Sequence, residues 1–191
     1  MNLPNKLTVI RIILTPFFLL ALLLNFPFHY LVALVIFIVA SFTDFLDGQI
    51  ARKQGIVTSF GKFLDPLADK MLTTAALLGF LELGIGYGVV WITFIVLFRE
   101  FLVSSLRLVA VSSGGKVIAA NIWGKLKTVS QMVSIIFAMA AKQLCELVNI
   151  PVLTIVLDSL ITIFLWISAV LCVISGAIYL LDNKECVDSS K

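Results

Sequence analysis

Apolar residues run along this chain in six long blocks, roughly 7–25, 31–52, 62–83, 88–110, 126–146 and 152–181. A helix rises 1.5 Å per residue, so about 20 apolar residues cross the hydrocarbon core of a bilayer. The pattern therefore predicts six transmembrane helices in a single all-α membrane domain covering residues 1–191. The breaks fall at Asn25–Tyr30, Lys53–Phe60, Gly84–Tyr87, Val111–Lys125 and Glu146–Pro151. Glycines in LGIGYG and SSGG, and the proline at Pro151, mark these turns. No small-x-small cleavage site follows the first apolar block, so Met1–Lys6 and that block read as an uncleaved first helix rather than a signal peptide. No internal repeat is visible, which argues against transporters built from inverted repeats.

Composition agrees with a membrane domain. The chain is 61% hydrophobic and 13% charged, with mean hydropathy +1.12; a soluble domain carries about 25% charged residues. A net charge of +3 gives no reason to expect a nucleic-acid partner. The placement of charge says more. Six spans put both termini on one side, and all of the 14 Lys and Arg residues except Lys142 then fall on that side. The positive-inside rule makes it the cytoplasmic face of a multi-pass protein. Cys145, Cys172 and Cys186 lack metal-ligand spacing and read as apolar filler. His29 is the only histidine, which excludes a histidine-based metal site or triad; it lies in a polar break and reads as an interfacial or loop residue. No phosphate-binding glycine loop and no G-x-S-x-G elbow occurs.

Against this apolar background four aspartates stand out: Asp44, Asp47, Asp65 and Asp69. A charge at the centre of a membrane helix costs roughly 2.5–3.5 kcal/mol even on lenient insertion scales. Four carboxylates in one region also repel one another, and a divalent cation offsets both costs. The segment from Asp44 to Asp69 reads D-x2-D-G-x2-A-R-x8-G-x3-D-x3-D. Helical neighbours three and four apart share a face, so Asp44, Asp47, Gly48 and Ala51 form one stripe. Gly61, Asp65 and Asp69 form another if the third helix begins early; otherwise Asp65 caps that helix with Pro66 at its first position. Oxygen donors without nitrogen or sulfur favour Mg²⁺ or Mn²⁺, with room for two ions. Gly48, Ala51 and Gly61 either let helices approach closely or leave a slot for a flat ligand. Arg52 suits a diphosphate, the alternative being an ordinary cytoplasmic anchor. Intramembrane acids also mark proton or cation pathways, so a divalent-cation or proton-coupled transporter is the competing class. That class needs a polar path across the whole membrane, whereas the outer halves of the spans carry little: Glu82, Glu146 and Asp158 sit near ends or alone.

At every fixed position the aspartate segment resembles the signature of the CDP-alcohol phosphotransferases, and the six-block pattern resembles that family's membrane fold over nearly the whole chain. The resemblance implies an enzyme that cleaves a CDP-linked donor, transfers its phosphatidyl or similar group to an alcohol and releases CMP. It implies two divalent ions held by Asp44, Asp47, Asp65 and Asp69, with Asp69 also acting as catalytic base. Asp47, Gly48, Ala51, Arg52 and Gly61 would surround the CDP moiety. Family members are commonly homodimers.

Further segments narrow the resemblance. NLPNKLTVIRI at 2–12, FREFLVSSLRLVA at 98–110 and GKLKT at 124–128 resemble the bacterial branch that joins CDP-diacylglycerol to sn-glycerol 3-phosphate. That branch implies the bacterial inner membrane and a role in phospholipid biosynthesis. The cardiolipin-forming branch, whose acceptor is the lipid phosphatidylglycerol, opens similarly and is the alternative within the class. Charge favours the phosphorylated acceptor. Arg99 and Arg107 lie two turns apart in an apolar span, and Glu100 pairs well with only one of them, leaving a cation over. Lys125 and Lys127 stand where the fifth span begins, as anchors or as ligands. Arg107 with Lys125 or Lys127, and Arg99 beside them, form the expected acceptor-phosphate site.

Overall fold

A computed structural model describes residues 3–54, 59–112 and 122–182, and the side chains of 6–43, 68, 70–107 and 122–182. The described residues form six helices and no strand: α1 Leu3–Leu23, α2 His29–Gln54, α3 Ser59–Glu82, α4 Val89–Ser112, α5 Ile122–Val148 and α6 Pro151–Asp182. Each corresponds to one apolar block. Among the described residues, four stretches are long and apolar enough to cross a membrane: Lys6–Leu23, Val89–Arg107, Ile122–Val148 and Pro151–Asp182. A shorter apolar stretch, His29–Thr43, forms the front of α2.

The helices close into a ring. α1 packs on α2 and α3, α2 on α5, α5 on α6, α6 on α4 and α4 on α3, with α3 touching α5 across the middle. Lipid tails are as apolar as leucine, so such helices associate through van der Waals fit rather than hydrophobic expulsion. The interior accordingly mixes large side chains (Phe18, Phe37, Phe80, Ile92, Met139, Leu165) with small ones (Ala33, Ala40, Ala76, Ala138, Ala169), all buried. Leu20, Val35, Trp91, Phe94, Ile155 and Ile163 are exposed around the ring, the arrangement expected where lipid is the solvent.

The turn from α3 to α4 shows how locally the sequence sets the path. Gly84 adopts φ +64°, a left-handed conformation that side chains resist. Its amide donates to the Leu81 carbonyl at 3.3 Å, and the Ile85 amide donates to the Phe80 carbonyl at 2.8 Å. These two bonds make a Schellman cap, and both Ile85 and Phe80 are buried in the same apolar cluster. The α5–α6 turn is as economical: Asn149 takes φ 49° after α5, and Pro151 opens α6.

Two expectations change here. α3 begins at Ser59, so Asp65 and Pro66 lie within the helix and do not cap it. His29 is no loop residue: it opens α2 and is only 6% exposed. Its Nδ1 lies 3.0 Å from the Leu22 carbonyl of α1, and its Nε2 3.1 Å from Glu146 Oε1 of α5. Gln143 completes the cluster, accepting from the Leu31 amide at 2.9 Å and donating to Glu146 Oε2 at 3.3 Å. A polar residue in a break between apolar blocks thus serves as a tie between three helices.

His29→Ala removes both contacts and leaves a carbonyl and a carboxylate short of a partner, a loss of about 1–3 kcal/mol. A lower thermal midpoint in detergent is the expected result. Ligand binding at the opposite end of α5 should persist, because Glu146 lies about 28 Å along that helix from Lys127. An unchanged midpoint would show that the tie contributes nothing.

Candidate active site

The end of the bundle where α5 begins differs from the end where α5 meets α6. A cavity of about 530 Å³ opens among α3, α4, α5 and α6, lined by Lys70, Arg99, Glu100, Arg107, Lys125 and Lys127, with Ser104, Thr128, Ser175 and Tyr179 between them. Arg99, Arg107, Lys125 and Lys127, singled out from sequence, therefore border one space. α5 starts at Ile122, earlier than its apolar block, so both lysines sit in its first two turns. Lys125 is exposed and Lys127 buried, as their different positions around the helix require.

Glu100 organises the cavity. Its carboxylate meets Arg99 Nη1 at 3.2 Å and Lys70 Nζ at 3.6 Å, and pairs closely with Lys127. One acid thus holds three cations, where the sequence suggested that it could serve a single arginine. Lys70 also donates to Ser104, whose own hydroxyl donates to the Glu100 carbonyl at 2.7 Å. The second Arg99 nitrogen, Nη2, donates to Ser175 of α6 at 2.8 Å. The guanidinium reaches Ser175 because Gly176 follows it: a Cβ on Gly176 would stand 3.0 Å from Arg99 Cγ.

Arg107 and Lys125 are arranged differently. Among the described residues neither has a carboxylate partner. The Arg107 guanidinium carbon lies 5.8 Å from the centre of the Tyr179 ring, a cation–π contact that holds the group without neutralising it. Five cations thus face one carboxylate across the described lining. A cavity with that surplus suits an anion, and a phosphate with several acceptor oxygens can engage guanidinium and ammonium groups together.

The aspartate segment ends one residue before Lys70, which lines this cavity. Asp44, Asp47, Gly48, Ala51 and Arg52 lie on α2, and Gly61, Asp65 and Asp69 on α3. Their side chains fall outside the described residues. Among the described residues no three His, Cys, Asp or Glu side chains stand together as a metal site. The donor chemistry fits a hard cation nonetheless: four carboxylates on two helices, each pair within one turn of its helix. Lys70, read only as a cytoplasmic charge, directly follows Asp69 and reaches Glu100, so it joins the motif to the cavity. Ser175 and Tyr179 were hidden in an apolar block with no spacing to mark them. Thr8, Arg11 and Thr15 form a buried polar stripe along α1, Arg11 being 1% exposed; their i, i+3, i+7 spacing within the N-terminal segment was the available signal.

The outer charges do not continue the polar region. Glu146 is paired with His29, and Lys142 meets Asp158 at 2.7 Å. Between these pairs and the cavity the buried residues of α5 and α6 are mostly apolar, Ile135, Ala138, Met139, Ala141, Ile161, Leu165 and Ala169, with Gln131, Ser134 and Ser168 the polar ones.

Glu100→Ala would leave Lys70, Arg99 and Lys127 facing one another. Removing one partner from a buried ionic cluster costs about 3–5 kcal/mol. The expected readout is a lower thermal midpoint in detergent, partly restored by millimolar inorganic phosphate as a substitute anion. A midpoint that falls and does not respond to phosphate would show that the cavity does not bind anions.

Comparison with known proteins adds the wider context. The sequence profile of one family, CDP-alcohol phosphatidyltransferase, matches residues 1–179. A Bacillus subtilis protein named CDP-diacylglycerol--glycerol-3-phosphate 3-phosphatidyltransferase is 37% identical over 201 residues, covering 99% of this chain and 98% of the relative. A Rickettsia bellii protein of the same name is 37% identical over 188 residues, with 96% of each chain covered. A Mycobacterium tuberculosis protein named probable phosphatidylglycerophosphate synthase is 44% identical over 138 residues, covering 70% of this chain and 64% of its own. With a family profile matched over residues 1–179 and relatives similar over almost its full length, the chain belongs to the CDP-alcohol phosphatidyltransferase family.

Proposed function

We propose that this protein transfers the phosphatidyl group of CDP-diacylglycerol to sn-glycerol 3-phosphate, giving phosphatidylglycerophosphate and CMP in bacterial phospholipid synthesis. The observation that carries the choice of acceptor is the cavity with Arg107 and Lys125 lacking carboxylate partners among the described residues. A phosphorylated acceptor brings the charge that this lining lacks. Phosphatidylglycerol would leave the cations without that terminal phosphate partner, so the cardiolipin-forming alternative is weaker. The outer charges, paired and separated from the cavity by mostly apolar packing, give a transmembrane conduit no support.

In this reading Arg107, Lys125, Lys127 and Arg99 hold the acceptor phosphate and orient the glycerol hydroxyl toward the donor. That hydroxyl oxygen attacks the phosphorus bearing the diacylglycerol. The bond from this phosphorus to the CMP oxygen breaks, and Asp69 takes the hydroxyl proton. Asp47, Gly48, Ala51, Arg52 and Gly61 receive the CDP part. Asp44, Asp47, Asp65 and Asp69 would hold Mg²⁺ or Mn²⁺, two ions, which when bound neutralise the diphosphate. Positioning and charge stabilisation supply the rest of the rate. The reading includes α2 and α3 as spans, six in all, with the cavity facing the cytoplasm of the inner membrane, and a homodimer as the working assembly.

The test is CMP release by detergent-purified protein with CDP-diacylglycerol, Mg²⁺ and one acceptor at a time. Release with glycerol 3-phosphate and its loss in chelator are expected. Release with phosphatidylglycerol instead would reassign the acceptor, and none with any acceptor from folded protein would end the reading. Arg107→Ala should raise the KM for glycerol 3-phosphate about 10–100-fold, the worth of a charged hydrogen bond of roughly 1.5–3 kcal/mol. The KM for CDP-diacylglycerol should move less than about twofold on the same arithmetic; equal losses for both substrates would remove Arg107 from the acceptor site. Asp69→Asn should abolish turnover while leaving donor binding measurable, and turnover like that of the unaltered protein would exclude Asp69 as the base.

A further inference from the structure

A second hollow, of about 600 Å³, lies between α1, α3 and α4 and is almost wholly apolar. Ile12 and Leu19 form one wall, Thr74 and Leu78 another, and Phe101 a third. At one end stand Lys70 and Glu100, which also line the cation-rich cavity. The two spaces therefore meet at a shared pair of charged residues.

We propose that this groove receives an acyl chain of the phosphatidyl donor, and that Thr74 and Leu78 set how long a chain it accepts. The proposal rests on the reading of the donor as CDP-diacylglycerol and assigns its tail a place. Three observations support that occupant. The groove starts at Lys70, next in the chain to Asp69, so a lipid phosphate held at the motif would have its glyceryl esters near the charged end. From Lys70 to Leu78 the groove follows α3 for about 12 Å. One leaflet of a hydrocarbon core is about 15 Å deep, so the groove matches a chain that stays within one leaflet. The volume also discriminates between grooves. The apolar hollow between α4 and α6, lined by Phe98, Gly176 and Leu180, holds only about 260 Å³, whereas ligand sites usually offer about 300–1,000 Å³. Small side chains, Thr74 and Ala75, keep the larger groove open midway along α3.

The experiment compares a long-chain donor, dioleoyl-CDP-diacylglycerol, with a short-chain one, dihexanoyl-CDP-diacylglycerol, in CMP release at saturating glycerol 3-phosphate. Thr74→Phe should lower kcat/KM for the long chain at least tenfold relative to the short chain. Leu78→Trp, at an exposed position that tolerates bulk, should do the same more weakly. Ala177→Phe, in the α4–α6 hollow, should leave the ratio unchanged. Equal effects on both donors in the Thr74 and Leu78 variants, or a ratio that shifts only in the Ala177 variant, would overturn the assignment. A readout independent of turnover separates this proposal from the reaction itself. A CDP-diacylglycerol carrying a diazirine near the end of its acyl chain should, on illumination, label peptides containing Leu19 and Leu78. Labelling there without CMP release would keep the groove and sink the reaction, whereas CMP release with labelling confined to Val173–Leu180, or spread evenly around the bundle as by bulk lipid, would do the reverse.

Discussion

Cations inside a helix bundle are costly to strip of water, and here a single carboxylate, Glu100, makes three of them tolerable. Lys70 comes from α3, Arg99 from α4 and Lys127 from α5, and Ser175 of α6 accepts from Arg99 Nη2. Four helices are thereby fixed to one another around a point charge. In low dielectric the attraction is strong, and so is the penalty for leaving any member unmatched. The geometry of the cavity follows: the paired cations make its wall, and Arg107 and Lys125 line it without a carboxylate partner among the described residues.

The rest of the bundle supplies what such a cluster needs, a framework that does not shift. In the outer half, large and small apolar residues interlock across α1, α3, α4, α5 and α6. Short caps and turns join the helices there, and the His29–Glu146–Gln143 cluster ties α1, α2 and α5. Van der Waals fit is most effective where surfaces carry no polar groups. The unbalanced charge is thus gathered at one end, while the charges at the other end are paired, His29 with Glu146 and Lys142 with Asp158.

Much of this was legible in the sequence, for reasons that differ by element. Block length predicted all six helices because spanning a bilayer and hiding a backbone are one-dimensional requirements. That the acidic motif falls on two helices was legible because its spacing repeats the helical turn, and its side chains lie outside the described residues. Arg99 and Arg107 were marked by being charged residues in an apolar span. What could not be read was convergence. Nothing in the spacing of Glu100 says that it meets Lys70, thirty residues earlier, and Lys127, twenty-seven later. Ser175 and Gly176 look like ordinary small residues of an apolar helix until α6 is laid beside α4. The helical, buried place of His29 was hidden for the same reason, since its partners come from α1 and α5.

The link between the acidic motif and the cavity rests on the plainest fact in the chain. Asp69 and Lys70 are adjacent, and consecutive Cα atoms are about 3.8 Å apart. Since Lys70 borders both the cation-lined cavity and the apolar groove, the backbone of the last motif residue lies beside both spaces. A donor held at the motif would have an anion site to one side and an apolar channel to the other. Transfer between a lipid and a water-soluble phosphate demands that juxtaposition, because neither substrate can be brought wholly into the other's solvent. One helix, α3, therefore brings the three regions together, and its early start at Ser59 gives Asp65 and Asp69 a helical backbone on which to do it.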